Sequence, residues 1–135
     1  LHPTDWSECA DAAFQVVKRF KAVGTKEVIV LHIQDERVMI KRSTEQLAEF
    51  DRNDMERLEA LCRTLRMYGL SAKPMLRHGI PFRETIKVAD EIEASLIVLG
   101  SHGRSAVREM LAGSTFENVV RLCRQPVLVI RPPRG

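Results

Sequence analysis

The chain has 135 residues, of which 44% are hydrophobic and 29% are charged. These shares are typical of one globular domain and exclude an intrinsically disordered chain, which combines low hydrophobicity with high net charge. The formal net charge is +3, from 21 basic and 18 acidic residues that are mixed along the chain. We therefore expect no nucleic-acid surface. Because no run of about eighteen apolar residues occurs, we also expect no membrane-spanning segment.

The cysteines and the first residues indicate the cellular setting. Cys9, Cys62 and Cys123 are widely spaced and form no C-x-x-C pair, which argues against a disulfide framework and favours the reducing cytoplasm. No signal peptide is expected at the start. Leu1-His2-Pro3 looks like the tail of a strand, so we expect a single domain over residues 1–135 whose first strand is only partly present.

Helical and strand patterns alternate in the first half of the chain. Apolar residues at helical spacing predict a helix over residues 7–22, capped by Ser7 and ended by Gly24. The β-branched run at residues 28–33 is typical of a strand buried on both faces. Residues 35–54 are polar and irregular and predict a loop, before a helix over residues 55–68.

The second half continues the alternation. It predicts strands over residues 71–77, 96–99 and 126–131 and helices over residues 81–94 and 114–123. Pro74 favours an edge position for the first of these strands, and Pro81 suits the first turn of a helix. The whole pattern predicts an α/β fold, an open, doubly wound, five-stranded parallel sheet with helices on both faces.

Glycines around the fourth predicted strand point to a phosphate site. Gly100 and Gly103 follow the strand, where they allow sharp turns and close approach of a ligand. Gly113 and Ser114 open the next helix, where free amides and the positive helix end favour an anion. The spacing matches neither the P-loop nor the G-x-G-x-x-G motif. Taken singly, each glycine also fits an ordinary turn or helix cap.

Segment 100–114 resembles the signature of the universal stress protein family, in its ATP-binding branch. Residues 3–8 resemble the end of that family's first strand, and residues 117–130 resemble its last helix and strand. The resemblance covers essentially the whole chain. It implies a Rossmann-like fold of the adenine-nucleotide alpha hydrolase type. It also implies ATP at the carboxyl ends of strands one and four, where ligands of open α/β sheets bind.

The resemblance implies a role for each part of this site. Residues 3–5 line the adenosine end, with Asp5 as the polar contact, and Ile33 packs on the adenine. The loop from Leu99 holds the ribose and α-phosphate, and residues 113–115 hold the outer phosphates. The expected nucleotide-binding residues are Pro3, Thr4, Asp5, Ile33, Leu99, Gly100, His102, Gly103, Arg104, Gly113, Ser114 and Thr115.

Phe116 bears on the choice of nucleotide, and the histidines bear on possible contacts. Phe116 stands where related sequences often carry a small or hydroxylated residue. If that position reaches the phosphates, AMP or ADP becomes a better ligand than ATP. His102 is either a phosphate contact or an exposed loop residue, whereas His32, inside a buried strand, is expected to be a hydrogen-bonded core histidine. The four histidines show no metal-binding spacing. Any Mg²⁺ or Mn²⁺ would arrive with the phosphates and be reached through Ser114 or Thr115.

Three functions remain open on the sequence. The first is a regulator in stress response that binds ATP or AMP, and the second is a slow ATP hydrolase or phosphotransferase. The third is a dimerising interaction module with an empty site. No Ser-His-Asp set or carboxylate pair can be identified by spacing, so no catalytic residue is assigned and at most weak ATPase activity is expected. The resemblance also implies a homodimer that pairs through the last strand, residues 127–130.

Overall fold

A computed structural model describes residues 1–102 and 115–133. Four of the expected site residues, Gly103, Arg104, Gly113 and Ser114, lie outside the described part. The strands are β1 (His2–Pro3), β2 (Glu27–Asp35), β3 (Ser71–Gly79), β4 (Ile97–Gly100) and β5 (Val127–Ile130). The helices are α1 (Glu8–Val17), α2 (Glu36–Met39), α3 (Thr44–Met67), α4 (Pro81–Glu91) and α5 (Thr115–Leu122), with a 3₁₀ helix at Phe20–Val23. No helix within these ranges is long and apolar enough to cross a membrane.

All strand pairs in the described residues are parallel, which confirms the α/β class. The prediction of one five-stranded sheet is wrong. The strands form two hydrogen-bonded groups, a three-stranded sheet in the order β1-β2-β3 and a two-stranded sheet of β4 and β5. Because β3 is the last strand of its group, the edge position predicted from Pro74 is confirmed.

Pro3 explains why the two groups do not join. The Leu1 nitrogen donates to the Leu96 carbonyl over 2.9 Å, and the Val98 N–H donates to the Leu1 carbonyl over 2.9 Å. The next bond of this parallel ladder would come from residue 3, but proline has no N–H. The His2 ring takes that place, with Nδ1 2.9 Å from the Val98 carbonyl oxygen. Strand β1 therefore lies beside β4 without extending the ladder.

The loop predicted over residues 35–54 is wrong in most of its length. Asp35 caps α2 by accepting the Arg37 N–H over 2.9 Å. Ser43 and Gln46 then form a capping box, in which each side chain accepts the other residue's N–H, and α3 begins at Thr44. From Thr44 onward, the polar residues that looked like a loop are therefore the largely exposed first half of a 24-residue helix.

The core lies on both faces of the strands, as predicted for a doubly wound fold. Val28 and Val30 of β2 pack on the side of α1 and α3, with Phe14 and Leu58. The alternate residues Leu31 and Ile33 face the other side, where Val88 of α4 lies. Because parallel strands all end at the same edge, this arrangement places the residues that follow β1 and β4 side by side.

Candidate functional site

A pocket lies at the carboxyl ends of the strands. About 760 Å³ between its lining residues is unfilled by protein atoms, a volume that includes open solvent. Eight of the expected nucleotide-binding residues line it: Pro3, Thr4, Asp5, Ile33, Leu99, Gly100, His102 and Thr115. They come from four separate segments of the chain, and the fold brings them together.

A tight turn after β1 carries Asp5 into the pocket. The Thr4 N–H donates to the Leu31 carbonyl over 2.7 Å, which continues the pairing of β1 with β2. The Thr4 hydroxyl then accepts the Trp6 N–H over 3.2 Å, and Asp5 Oδ1 accepts the Ser7 N–H over 3.0 Å. Trp6 has φ +66°, a left-handed conformation that is unusual for a bulky residue. We call residues 4–7 the site turn.

The first turn of α1 faces the same pocket. Ser7 is its N-cap and accepts the Ala10 N–H over 3.1 Å, and both residues line the pocket. A helix N-terminus offers backbone N–H groups and the positive end of the helix dipole, which favour an anion. Pro81, the first residue of α4, also lines the pocket. The pocket therefore collects the starts of two helices that follow strands.

The pocket has one apolar wall. Leu31, Ile33 and Leu99 line it and are each no more than 9% exposed, and Phe116 of α5 also lines it. Phe116 packs at the same time against the apolar cluster that contains Val119. Such a wall is suited to a flat ring. Phe116 therefore faces the core and the pocket at the same time.

Gly100 meets α1 at very close range. A Cβ built on Gly100 would lie 2.6 Å from the carbonyl carbon of Cys9. Real side chains do not tolerate that distance, so a glycine is needed for α1 to approach the end of β4. The sequence did not indicate this reason, because the close neighbour is a helix rather than a ligand.

Asp5 and His102 are the titratable side chains among the described lining residues. His102 is exposed; its Nδ1 lies 3.1 Å from the Ser101 hydroxyl, and its ring centroid lies 5.7 Å from that of Phe116. In residues 1–102 and 115–133, no three His, Cys, Asp or Glu side chains lie close enough together to hold a metal ion.

Sequence reasoning missed Ser7, Ala10, Leu31 and Pro81 as lining residues. Ser7 was identified as a cap only, although a helix that follows a strand must begin at the pocket edge. Pro81 carries the same signal at α4. Leu31 lies two residues before Ile33, on the same face of β2, so strand alternation could have found it. Ala10 carries no signal of its own.

Comparison with known proteins decides the family. The profile of the universal stress protein family matches residues 1–131. The chain belongs to the universal stress protein family. Universal stress protein MJ0577 of Methanocaldococcus jannaschii is 35% identical over 151 residues, which cover 97% of this chain and 93% of that relative.

Solved structures agree with this universal stress protein assignment. The structure of MJ0577 matches with a TM-score of 0.85 at 34% identity, over 99% of this chain and 95% of that one. A universal stress protein solved in complex with cAMP matches with a TM-score of 0.72 at 21% identity, over 97% of this chain and 94% of that one. The second likeness shows the shared fold.

Proposed function

We propose that this universal stress protein binds an adenine nucleotide, ATP or AMP, in the pocket and acts as a nucleotide-dependent regulator. One observation carries the proposal. Residues 3–5, Ile33 and residues 99–100 were each expected to contact the nucleotide, and they line one pocket although they lie far apart in the sequence. The cAMP complex contributes only the fold to this proposal, so the proposal depends on the pocket itself.

The base and ribose occupy the end formed by the apolar wall and the site turn. Leu31 and Ile33 offer the buried surface against which a purine ring packs. Asp5 supplies an acceptor at the same end, and the Ser7 N–H fixes the orientation of its carboxyl group through Oδ1. A planar apolar ligand with N–H or O–H donors at its edge fits this combination.

The phosphate lies near the helix starts. The N-terminus of α1 at Ser7 and Thr115 of α5 line the pocket and offer backbone amides and hydroxyls. Phe116 places an aromatic ring beside Thr115, which limits the room for outer phosphates. AMP therefore binds at least as tightly as ATP, and any Mg²⁺ or Mn²⁺ is held through the phosphates.

A regulatory role agrees better with the pocket than turnover does. Hydrolysis of a phosphoanhydride needs a group that orients the attacking water. Of the titratable lining residues that the structure describes, Asp5 is engaged by Ser7 and His102 is exposed. If the protein is instead a slow ATP hydrolase, a single-turnover assay with labelled ATP would detect the cleaved product.

The experiment is calorimetric titration of nucleotide-free protein with AMP, ADP and ATP, with and without Mg²⁺. We expect saturable binding of AMP, a dissociation constant for ATP that is no lower than that for AMP, and no ATP cleavage in the single-turnover assay. Binding of none of the three nucleotides would contradict the proposal. Rapid cleavage of ATP would favour the enzyme.

We also propose that the protein is a homodimer that pairs through β5. This strand follows β4 at the end of its two-stranded sheet. Leu128 of β5 is 37% exposed, and Val120 and Leu122 on α5 are 49% and 54% exposed. An apolar strand at a sheet edge is a surface that another strand pairs with.

A further inference from the structure

A buried polar cluster lies behind the site turn, on the side away from the pocket. It consists of His32 and Gln34 of β2, Asp54 of α3, and Trp6 of the site turn. His32 and Gln34 are 3% and 2% exposed, and Asp54 is 9% exposed. Buried polar groups cost free energy unless they are hydrogen-bonded, so the bonds that they make constrain what they touch. We call these four residues the His32 cluster.

His32 is bonded to the backbone of the site turn. Its Nδ1 lies 2.7 Å from the Thr4 carbonyl oxygen. Because a carbonyl oxygen only accepts, Nδ1 must carry the hydrogen. On the other side of the ring, Nε2 lies 3.4 Å from Asp54 Oδ2. That oxygen accepts a hydrogen bond from Gln34 Nε2 over 2.9 Å. The imidazole therefore lies between the Thr4 carbonyl, to which Nδ1 donates, and the Asp54 carboxylate.

Trp6 connects the cluster to the strained part of the site turn. The centroid of its ring lies 4.7 Å from that of His32. The guanidinium of Arg57, a residue of α3, lies 4.1 Å from the centroid of the Trp6 ring. A left-handed conformation at a non-glycine residue costs about 1–2 kcal/mol and persists only when its surroundings hold it. Here the Thr4 hydroxyl accepts the Trp6 backbone N–H, and His32 and Arg57 pack against the Trp6 ring.

We propose that His32 is a positioning residue of the nucleotide pocket. Its Nδ1–H bond to Thr4 and its ring contact with Trp6 hold the site turn so that Asp5 faces the ligand. This inference rests on the proposed function, because the positioned ligand is the adenine nucleotide. His32 itself does not line the pocket and acts through Thr4 and Trp6.

The test compares His32→Asn with His32→Gln. Asparagine places an amide N–H near the position of Nδ1 and can donate to the Thr4 carbonyl. Glutamine places its amide nearer to Nε2 and leaves that carbonyl without its donor. Trp6 is the single tryptophan of the chain, so its fluorescence reports on the site turn without any nucleotide. AMP affinity and the midpoint of thermal unfolding are measured on the same proteins.

We expect His32→Asn to keep the native Trp6 emission and quenching, and to bind AMP within about threefold of the unchanged protein. His32→Gln should shift the emission to the red and weaken AMP binding about fivefold or more, since a buried acceptor loses its hydrogen bond. A merely structural role predicts instead that affinity follows the unfolding midpoint and not the position of the donor.

Two results would overturn the inference. One is the same Trp6 emission in both variants, and the other is equal AMP affinity despite a changed emission. If the unchanged protein binds no adenine nucleotide, the proposed function fails, and the part of the inference that concerns the ligand fails with it. The nucleotide-free emission then decides separately whether His32 holds the turn.

Discussion

The Asp5 carboxyl group is held by the turn that it helps to build. Its Oδ1 accepts the Ser7 N–H over 3.0 Å, and Ser7 in turn caps α1. Asp5 also lines the pocket. A side chain with both roles calls for a substitution that separates them, and asparagine does so because its carbonyl oxygen can still accept the Ser7 N–H.

Asp5→Asn should therefore weaken AMP binding with little effect on stability. An acceptor for the nucleoside becomes an amide donor, so we expect the affinity for AMP to fall about tenfold. The free energy of unfolding should change by less than about 0.5 kcal/mol. Calorimetric titration and urea unfolding give the two quantities.

Asp11→Asn is the matched control, because it makes the same chemical change at an exposed position in the first turn of α1. Equal losses of affinity in the two variants would show that net charge, and not a contact from Asp5, is responsible.

At the scale of elements, the sequence predicted the strands and helices best where apolar residues form a pattern. The run in β2, the stripe of α3 from Leu58 onward and the order of elements were read directly from the spacing. The start of α3 was missed because its capping box at Ser43 and Gln46 lies among polar residues that looked like a loop.

Contacts between residues far apart in the chain could not be predicted from the sequence. The break between β1 and β4 depends on which carbonyl faces Pro3, and the role of His32 depends on its bond to Thr4, 28 residues away. Residues 3–5 and 99–102, which were predicted as site residues, lie where β1 and β4 end, a place that the fold class locates. Ser7 and Ala10 were missed as lining residues because their part in the pocket depends on where α1 begins in space.

The junction of β1 and β4 makes stability depend on pH. His2 is 1% exposed, and burial lowers its pKa from 6.5 to about 4. The unfolded chain therefore binds a proton at this residue between pH 6.5 and 4 while the folded protein does not. The stability present above pH 6.5 is lost as the pH falls, by about 3 kcal/mol from this residue in total.

We expect His2→Asn to reduce this loss. Asparagine keeps an N–H donor for the Val98 carbonyl and does not titrate. Urea unfolding at pH 7 and at pH 4.5 should show a smaller difference in unfolding free energy for the variant than for the unchanged protein. The same pH dependence in both would mean that other groups cause it.

For the whole molecule, β5 is the surface that we propose pairs with a second copy. Val127 packs in the cluster with Ile97 and Val119, so a lysine there would disturb the core. Leu128 is more exposed. Leu128→Lys should give a monomer by light scattering at concentrations where the unchanged protein is a dimer, because like charges then meet across the two-fold axis.

Met67→Lys at the end of α3 is the control, since Met67 is 84% exposed and lies outside β5. It should leave the mass unchanged. A Leu128→Lys protein that keeps the mass of a dimer would show that the subunits pair elsewhere, and a monomeric unchanged protein would contradict the homodimer itself.

We propose that separate segments at the carboxyl ends of the strands form one adenine-nucleotide site. The sharpest test is mass spectrometry of the gently purified protein, followed by identification of the released small molecules. We expect AMP, ADP or ATP in the native protein, or uptake of AMP after incubation with millimolar AMP. A native mass equal to that of the bare chain after that incubation, with no adenine nucleotide released, would contradict it.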